Sequence, residues 1–318
     1  MLALICLVAR VQWAPAAGLD KVTVRLDWLA SAYHAPLFVA RARGYYAEQG
    51  LDVELQNGQG SLSTLQVVGS GNDTIGLANI SAIATAAGRG VPVVAIGGLI
   101  QRAPEAVLSL ASANIRKPKD LEGKRWGAVA GDEAQRLFEA YAAVNQIDLR
   151  KIRKITLNHG AALTSLLNGD VDFICAWALE DGLKLARVKP IAPPLLFADS
   201  GINTLGTAFF VTRATLQAKP DVLRRFMVAT QKGAAAMSAD PAAAVQAVYA
   251  ARPENDRAML EQEIAGLGPY LRTQRSAGRP FGWLASEDVE SMLAVMRQHY
   301  GLSANVLAAQ IFTNRFVE

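Results

Sequence analysis

Apolar and polar positions along this chain alternate in short runs, and longer runs with helical spacing separate them. Val22-Thr23-Val24-Arg25-Leu26 reads as a strand, and Leu51-Asp52-Val53-Glu54-Leu55 alternates in the same way. Between them, Leu37, Phe38, Ala40 and Ala42 predict a helix that begins near Pro36, where a missing N–H costs nothing. Gly44 is placed to end that helix in a left-handed cap, and a further helical turn from Tyr45 to Gln49 stops at Gly50. The pattern then predicts a helix over 64–68 capped by Ser61 or Ser63, a strand over 74–78, a helix entered through Asn79-Ile80-Ser81, and a strand over 91–96. Residues 21–101 thus read as repeated β-α units, which implies a mostly parallel sheet.

The character changes at Gln101-Arg102-Ala103-Pro104. A strand over 107–111 leads into a second set of units: a helical turn at 118–124, strands at 125–129, 152–157 and 171–176, and helices at 134–145 and 161–167. Residues 195–197 read as strand or linker, and 207–212 as a strand returning to the first set. From Lys219 onward the pattern is helical, over 220–237, 241–252, a segment from Glu254, and 286–300. The layout is two α/β lobes with crossings near 101–107 and 198–207.

At the N-terminus an apolar run, Leu2 to Ala9, precedes Ala14-Pro15-Ala16, which resembles a secretory signal covering residues 1–17, with Arg10 interrupting it. No later run reaches the roughly 18 apolar residues of a membrane span.

Composition narrows the function classes. The chain has 318 residues, 51% hydrophobic and 19% charged, with a formal net charge of +4. Basic residues are interspersed with acidic ones, without a basic run or aromatic-basic interleaving, which argues against nucleic-acid binding. Of the two cysteines, Cys6 falls in the signal-like segment and Cys175 lies in a strand expected to be buried. The three histidines, His34, His159 and His299, are too scattered to suggest a metal site. Nucleophile-elbow, phosphate-loop and dinucleotide fingerprints are all missing.

Candidate chemistry collects where strands run into loops, the place where open α/β sheets bind ligands. Asp27 and Trp28 follow the first strand; a carboxylate beside an indole suits a flat polar heterocycle, and equally a cap and a core ring. Tyr33 and His34 stand on the same loop. Asn79 and Ser81 sit beyond the next strand and suit helix capping or ligand contact. In the second lobe, Gly131, Asp132 and Glu133 open a helix, and Trp177 and Glu180 follow a strand. Asn203 and Thr207 lie on the return crossing.

The stretch D-W…Y-H-x-P…G-Y-Y-x-E-Q-G-L-D-V, from Asp27 to Val53, resembles the NMT1/THI5-like family, and the likeness continues in patches to the C-terminus. That family holds periplasmic solute-binding proteins of ABC importers and the pyrimidine synthase of thiamine biosynthesis. The resemblance implies a type II periplasmic-binding-protein fold, with residues 18–103 and 205–318 forming one lobe, 104–204 the other, and a ligand cleft between them. It implies a monomeric periplasmic binder without a cofactor, delivering a thiamine-precursor aminopyrimidine to a membrane permease. Riboflavin is an alternative ligand. Sulfonate, taurine or nitrate is another and would draw on Arg102. A ligand-sensing module is a third possibility. The synthase is disfavoured residue by residue. Ala78 stands where the enzyme's imine-forming Lys falls and Ala82 where its donor His falls, and 201–210 has no Cys of the iron motif.

Overall fold

In the computed structural model, which describes residues 18–129, 133–158 and 160–318, the strands form two separate five-stranded sheets. The first has the order β2-β1-β3-β10-β4, with β1 at Asp20–Arg25, β2 at Leu51–Gln56, β3 at Ile75–Asn79, β4 at Val93–Gly98 and β10 at Thr207–Thr212. The second has the order β7-β6-β8-β5-β9, with β5 at Glu105–Leu108, β6 at Arg125–Val129, β7 at Arg153–Leu157, β8 at Phe173–Trp177 and β9 at Leu195–Leu196. The chain passes from the first sheet to the second between β4 and β5, and returns between β9 and β10.

The first sheet is less parallel than the β-α pattern predicts. β1 runs parallel to β2 and β3, but β10 inserts between β3 and β4 antiparallel to both. Every residue of β10 is buried, and its apolar run cannot report direction. In the second sheet β5 is likewise antiparallel to β8 and β9.

Local chemistry sets most boundaries. The helix predicted near Pro36 spans Ala35–Ala42, and Gly44 follows it at φ +74°, in the left-handed region a cap needs. Two capping expectations fail. Gly60 takes the N-cap of the Ser61–Gly69 helix, and Ser61 instead accepts a hydrogen bond from the Asn79 N–H at 3.0 Å. Asn79 occupies the N-cap of the Ile80–Gly88 helix without a side-chain cap bond. Cys175 is half-buried rather than buried.

Each lobe has its own core. In the first, Phe209 of β10 meets Phe226 of the Pro220–Ala239 helix edge-on, with centroids 5.9 Å apart, among Leu37, Val24 and Leu77. In the second, Trp126, Phe138 and Phe173 cluster around β6 and β8, Trp126 parallel to Phe173 and tilted against Phe138 with centroids 4.5 Å apart. Among the described residues no helix is long and apolar enough to cross a membrane.

Candidate functional site

The loop leaving β1 carries Asp27 and Trp28, and the turn after β2 grips it. Gly58 N–H donates to the Trp28 carbonyl at 3.0 Å and Gly60 N–H to the Asp27 carbonyl at 2.7 Å. Ala30 N–H donates to Asn57 Oδ1 at 2.9 Å. Only glycine fits at 58, because a Cβ there would lie 1.9 Å from the Leu26 carbonyl oxygen.

Behind this loop lies a buried polar network centred on Asp27. Its Oδ1 accepts from Tyr33 Oη at 3.2 Å and from His34 Nε2 at 2.9 Å, and its Oδ2 accepts from Thr207 Oγ1 at 3.0 Å. Ser31 N–H donates to His34 Nδ1 at 3.2 Å, which leaves the ring proton on Nε2, facing Asp27. The pairing of Thr207 with Asn79 in the β10–β3 register brings Thr207 here, and its hydroxyl also lies 3.5 Å from Asn79 Oδ1. Burial, and after it the Asp27 carboxylate, hold the Tyr33 phenol well above its ordinary pKa, so it remains a donor.

In front of the network is a cleft of about 480 Å³. The first lobe supplies Trp28, Ser31 and Tyr33, and also the segment from Arg252 through the Arg257–Gly266 helix. The second lobe supplies Trp177, at the end of β8, and then Glu180, Lys184 and Arg187. A π-helical turn at Ala178–Gly182 carries Glu180 out of the strand and into the Leu183–Val188 helix. Tyr33 and Trp177 meet from opposite lobes, with ring centroids 5.9 Å apart and planes at 56°. Trp28 is 53% exposed, a large apolar ring presented to the cleft.

Ion pairs organise the charged wall. Lys184 Nζ lies 2.6 Å from Glu180 Oε1, and Arg187 reaches across the cleft to Asp256 at 2.7 Å. Asp256 also caps its own helix, accepting from Met259 N–H at 3.1 Å. Glu263, two turns beyond Asp256, is 8% exposed and lines the cleft. Burial, followed by the nearby Glu180 carboxylate, pushes its carboxyl up to about 7.

Of the residues singled out in the sequence, Trp28, Tyr33, Trp177 and Glu180 come together on the cleft wall. Asp27, His34, Asn79 and Thr207 converge too, but in the network behind the wall, where they satisfy one another instead of facing the cleft. Ser81 is buried within its helix, away from the cleft lining. Asn203 is a clamp between the two crossings: its Oδ1 accepts from Ala103 N–H at 2.9 Å and Leu205 N–H at 3.2 Å, and its Nδ2 donates to the Gln101 carbonyl at 3.0 Å. Arg102 pairs with Asp199 beside a different cavity. Gly131, Asp132, His159 and the signal-like segment lie outside the described residues, and Glu133 begins the Glu133–Val144 helix.

The sequence reading missed Asn255, Asp256, Met259 and Glu263. One signal for the last was present. Leu260, Ile264 and Leu267 mark the buried face of a helix, and Glu263 falls on that face, three residues from Leu260 and four from Leu267.

Comparison with known proteins fits this geometry. The profile of the NMT1/THI5-like family matches residues 31–244. The chain belongs to that family. One relative, a 4-amino-5-hydroxymethyl-2-methylpyrimidine phosphate synthase from Legionella pneumophila, is 24% identical over 311 residues, covering 94% of this chain and 92% of the relative. Another, a formylaminopyrimidine-binding protein from Halalkalibacterium halodurans, is 23% identical over 309 residues, covering 93% and 91%. Among solved structures, a putative periplasmic sulfonate-binding protein from Methylobacillus flagellatus superposes with a TM-score of 0.73 at 12% identity, covering 94% of this chain and 93% of that one. The NMT1/THI5-like chain therefore has the two-lobed periplasmic-binding-protein fold.

Proposed function

We propose that this protein is the solute-binding component of an ABC importer and that its interlobe cleft captures a thiamine-precursor aminopyrimidine, of the hydroxymethyl or formylamino kind. The observation that carries the reading is the cleft wall, where Trp28, Tyr33 and Trp177 offer ring faces, Glu263 offers a carboxyl group with no partner among the described residues, and Glu180 offers one whose Oε1 alone takes Lys184, within about 480 Å³. That volume suits one small molecule. Flat rings stack on the aromatic faces, and ring or exocyclic N–H groups find acceptors. A sulfonate is a poorer fit, because two of the three lining cations, Lys184 and Arg187, are already paired with carboxylates.

Binding would close the lobes over the ligand, with the Arg187–Asp256 pair formed at the closed mouth. A monomer in the periplasm would then dock on a membrane permease. The synthase activity named for several relatives is not expected here. Ala78 is wholly buried in β3, and neither it nor Ala82 carries an amine or an imidazole.

A thermal-shift screen tests this, with aminopyrimidines, riboflavin, sulfonates and nitrate as probes. Stabilisation by the aminopyrimidines, lost in Trp28→Ala and Glu180→Ala, is the expected result. Stabilisation by sulfonates or nitrate alone would discard the pyrimidine, and formation of a pyrimidine product from pyridoxal phosphate would discard the binder.

A further inference from the structure

Glu263 lies on the Arg257–Gly266 helix of the first lobe and is more than nine-tenths buried. Apolar side chains flank its stem, with Leu260, Ile264 and Leu267 buried on the same helix and Leu179 facing them from the second lobe, its Cδ1 3.4 Å from where a Cβ on Gly266 would sit, while Glu180, Lys184 and Asp256 share the cleft lining with its carboxyl. A carboxyl group in such a place normally has a partner. Among the described residues Glu263 takes part in no hydrogen bond and no ion pair within 4.0 Å. The nearby cations are committed elsewhere, Lys184 to Glu180 and Arg187 to Asp256. Yet Glu263 lines the cleft, on the wall opposite Trp177 and Glu180.

We infer that Glu263 is a ligand-binding residue that selects for a nitrogen heterocycle by accepting an N–H of its amino-bearing edge. The inference rests on the heterocycle reading of the cleft and names the group that reads the amine. The geometry divides the work. Trp28 and Trp177 present ring faces, which hold any flat molecule, whereas a carboxyl group with no protein partner discriminates between ligands that can donate to it and those that cannot. A site built to hydrogen-bond one group rejects an analogue that lacks it, because the protein partner is then left buried and unpaired. Glu263 has no partner among the described residues and its carboxyl oxygens reach the cleft, so a ligand without a donor would cover it unpaired, and a donor arriving with the ligand would satisfy it. The same argument makes Glu263 costly to the unliganded protein: its removal should stabilise the fold while weakening recognition.

Calorimetric titration of the full chain tests this with two probes, 4-amino-5-hydroxymethyl-2-methylpyrimidine and the same compound without its amino group. The wild-type protein should prefer the amino compound by roughly tenfold or more. In Glu263→Leu that preference should collapse to about twofold or less, with unliganded thermal stability raised rather than lowered. Glu263→Gln, of the same size, guards against a misfolded leucine variant and should lose at least about threefold of the preference. A leucine or glutamine variant that keeps the wild-type preference overturns the assignment while leaving the heterocycle reading intact. Wild-type protein that binds neither pyrimidine removes that reading, and the inference with it.

Discussion

His34 Nε2 lies 2.9 Å from Asp27 Oδ1, and the imidazole is wholly buried. Asp27 is thereby the shared acceptor of three donors, Tyr33 and His34 from its own loop and Thr207 from β10, 180 residues away. Asp27→Ala would strand all three. The expected cost is about 2–4 kcal/mol of unfolding free energy, read by urea denaturation. Thr207→Val removes one donor and leaves the other two, so about 1 kcal/mol is expected. Equal and small effects for the two variants would contradict a network centred on Asp27.

Trp28 and Trp177 should behave as ligand platforms. Trp28 is half-exposed, so Trp28→Ala should move the melting temperature little. Its affinity for a flat heterocycle should fall roughly 10- to 100-fold, the scale of a lost stacking contact. Calorimetric titration beside a melting curve separates the two effects.

Across the cleft mouth, Arg187 and Asp256 are both exposed, so their pair is weak and screened by salt. It forms between lobes, and its influence should therefore fall on closure. Arg187→Ala is the cleaner probe, because Asp256 also caps its helix. Ligand dissociation should speed up by roughly two- to fivefold at low salt, with the difference fading at high salt. Stopped-flow release at two ionic strengths checks this.

Glu263 gives a pH signature. Its folded carboxyl titrates at about 7 against an ordinary value of 4.5, so the folded state holds the proton more tightly than the unfolded chain. Below about pH 4.5 both states are protonated and Glu263 costs nothing. The cost grows between about pH 4.5 and 7 and is complete above it. Glu180, Asp181 and Asp256 act in the same direction, and Lys184 opposes them. Glu263→Gln should therefore stabilise the protein most at about pH 8, by on the order of 2 kcal/mol, and hardly at all at about pH 4. Denaturation at the two pH values measures the difference.

How far the sequence spoke for this structure depended on distance along the chain. Strand β6 and strand β10 lie where alternation and apolar runs put them, and Gly44 caps its helix with the backbone angle a glycine permits. Those features are local. Asp27 and Thr207 are 180 residues apart, and their pairing depends on β10 entering the first sheet antiparallel to β3. A carboxylate and a hydroxyl at two loop ends read alike as ligand contacts or as partners of each other, and only the fold decides. Asn203 was ambiguous for the same reason, and its clamp joins two crossings that sequence spacing keeps apart. Glu263 was legible in principle as an acid on an apolar helix face. Its second half, that this face borders the cleft, required the second lobe to close against it.

The most direct test of the central claim is titration of the purified chain with 4-amino-5-hydroxymethyl-2-methylpyrimidine and its formylamino counterpart, followed by native mass spectrometry of the complex. One-to-one binding of at least one of these compounds, weakened in both Trp28→Ala and Trp177→Ala, is the result this account expects. No binding of either compound, or binding that both tryptophan variants leave unchanged, would contradict it.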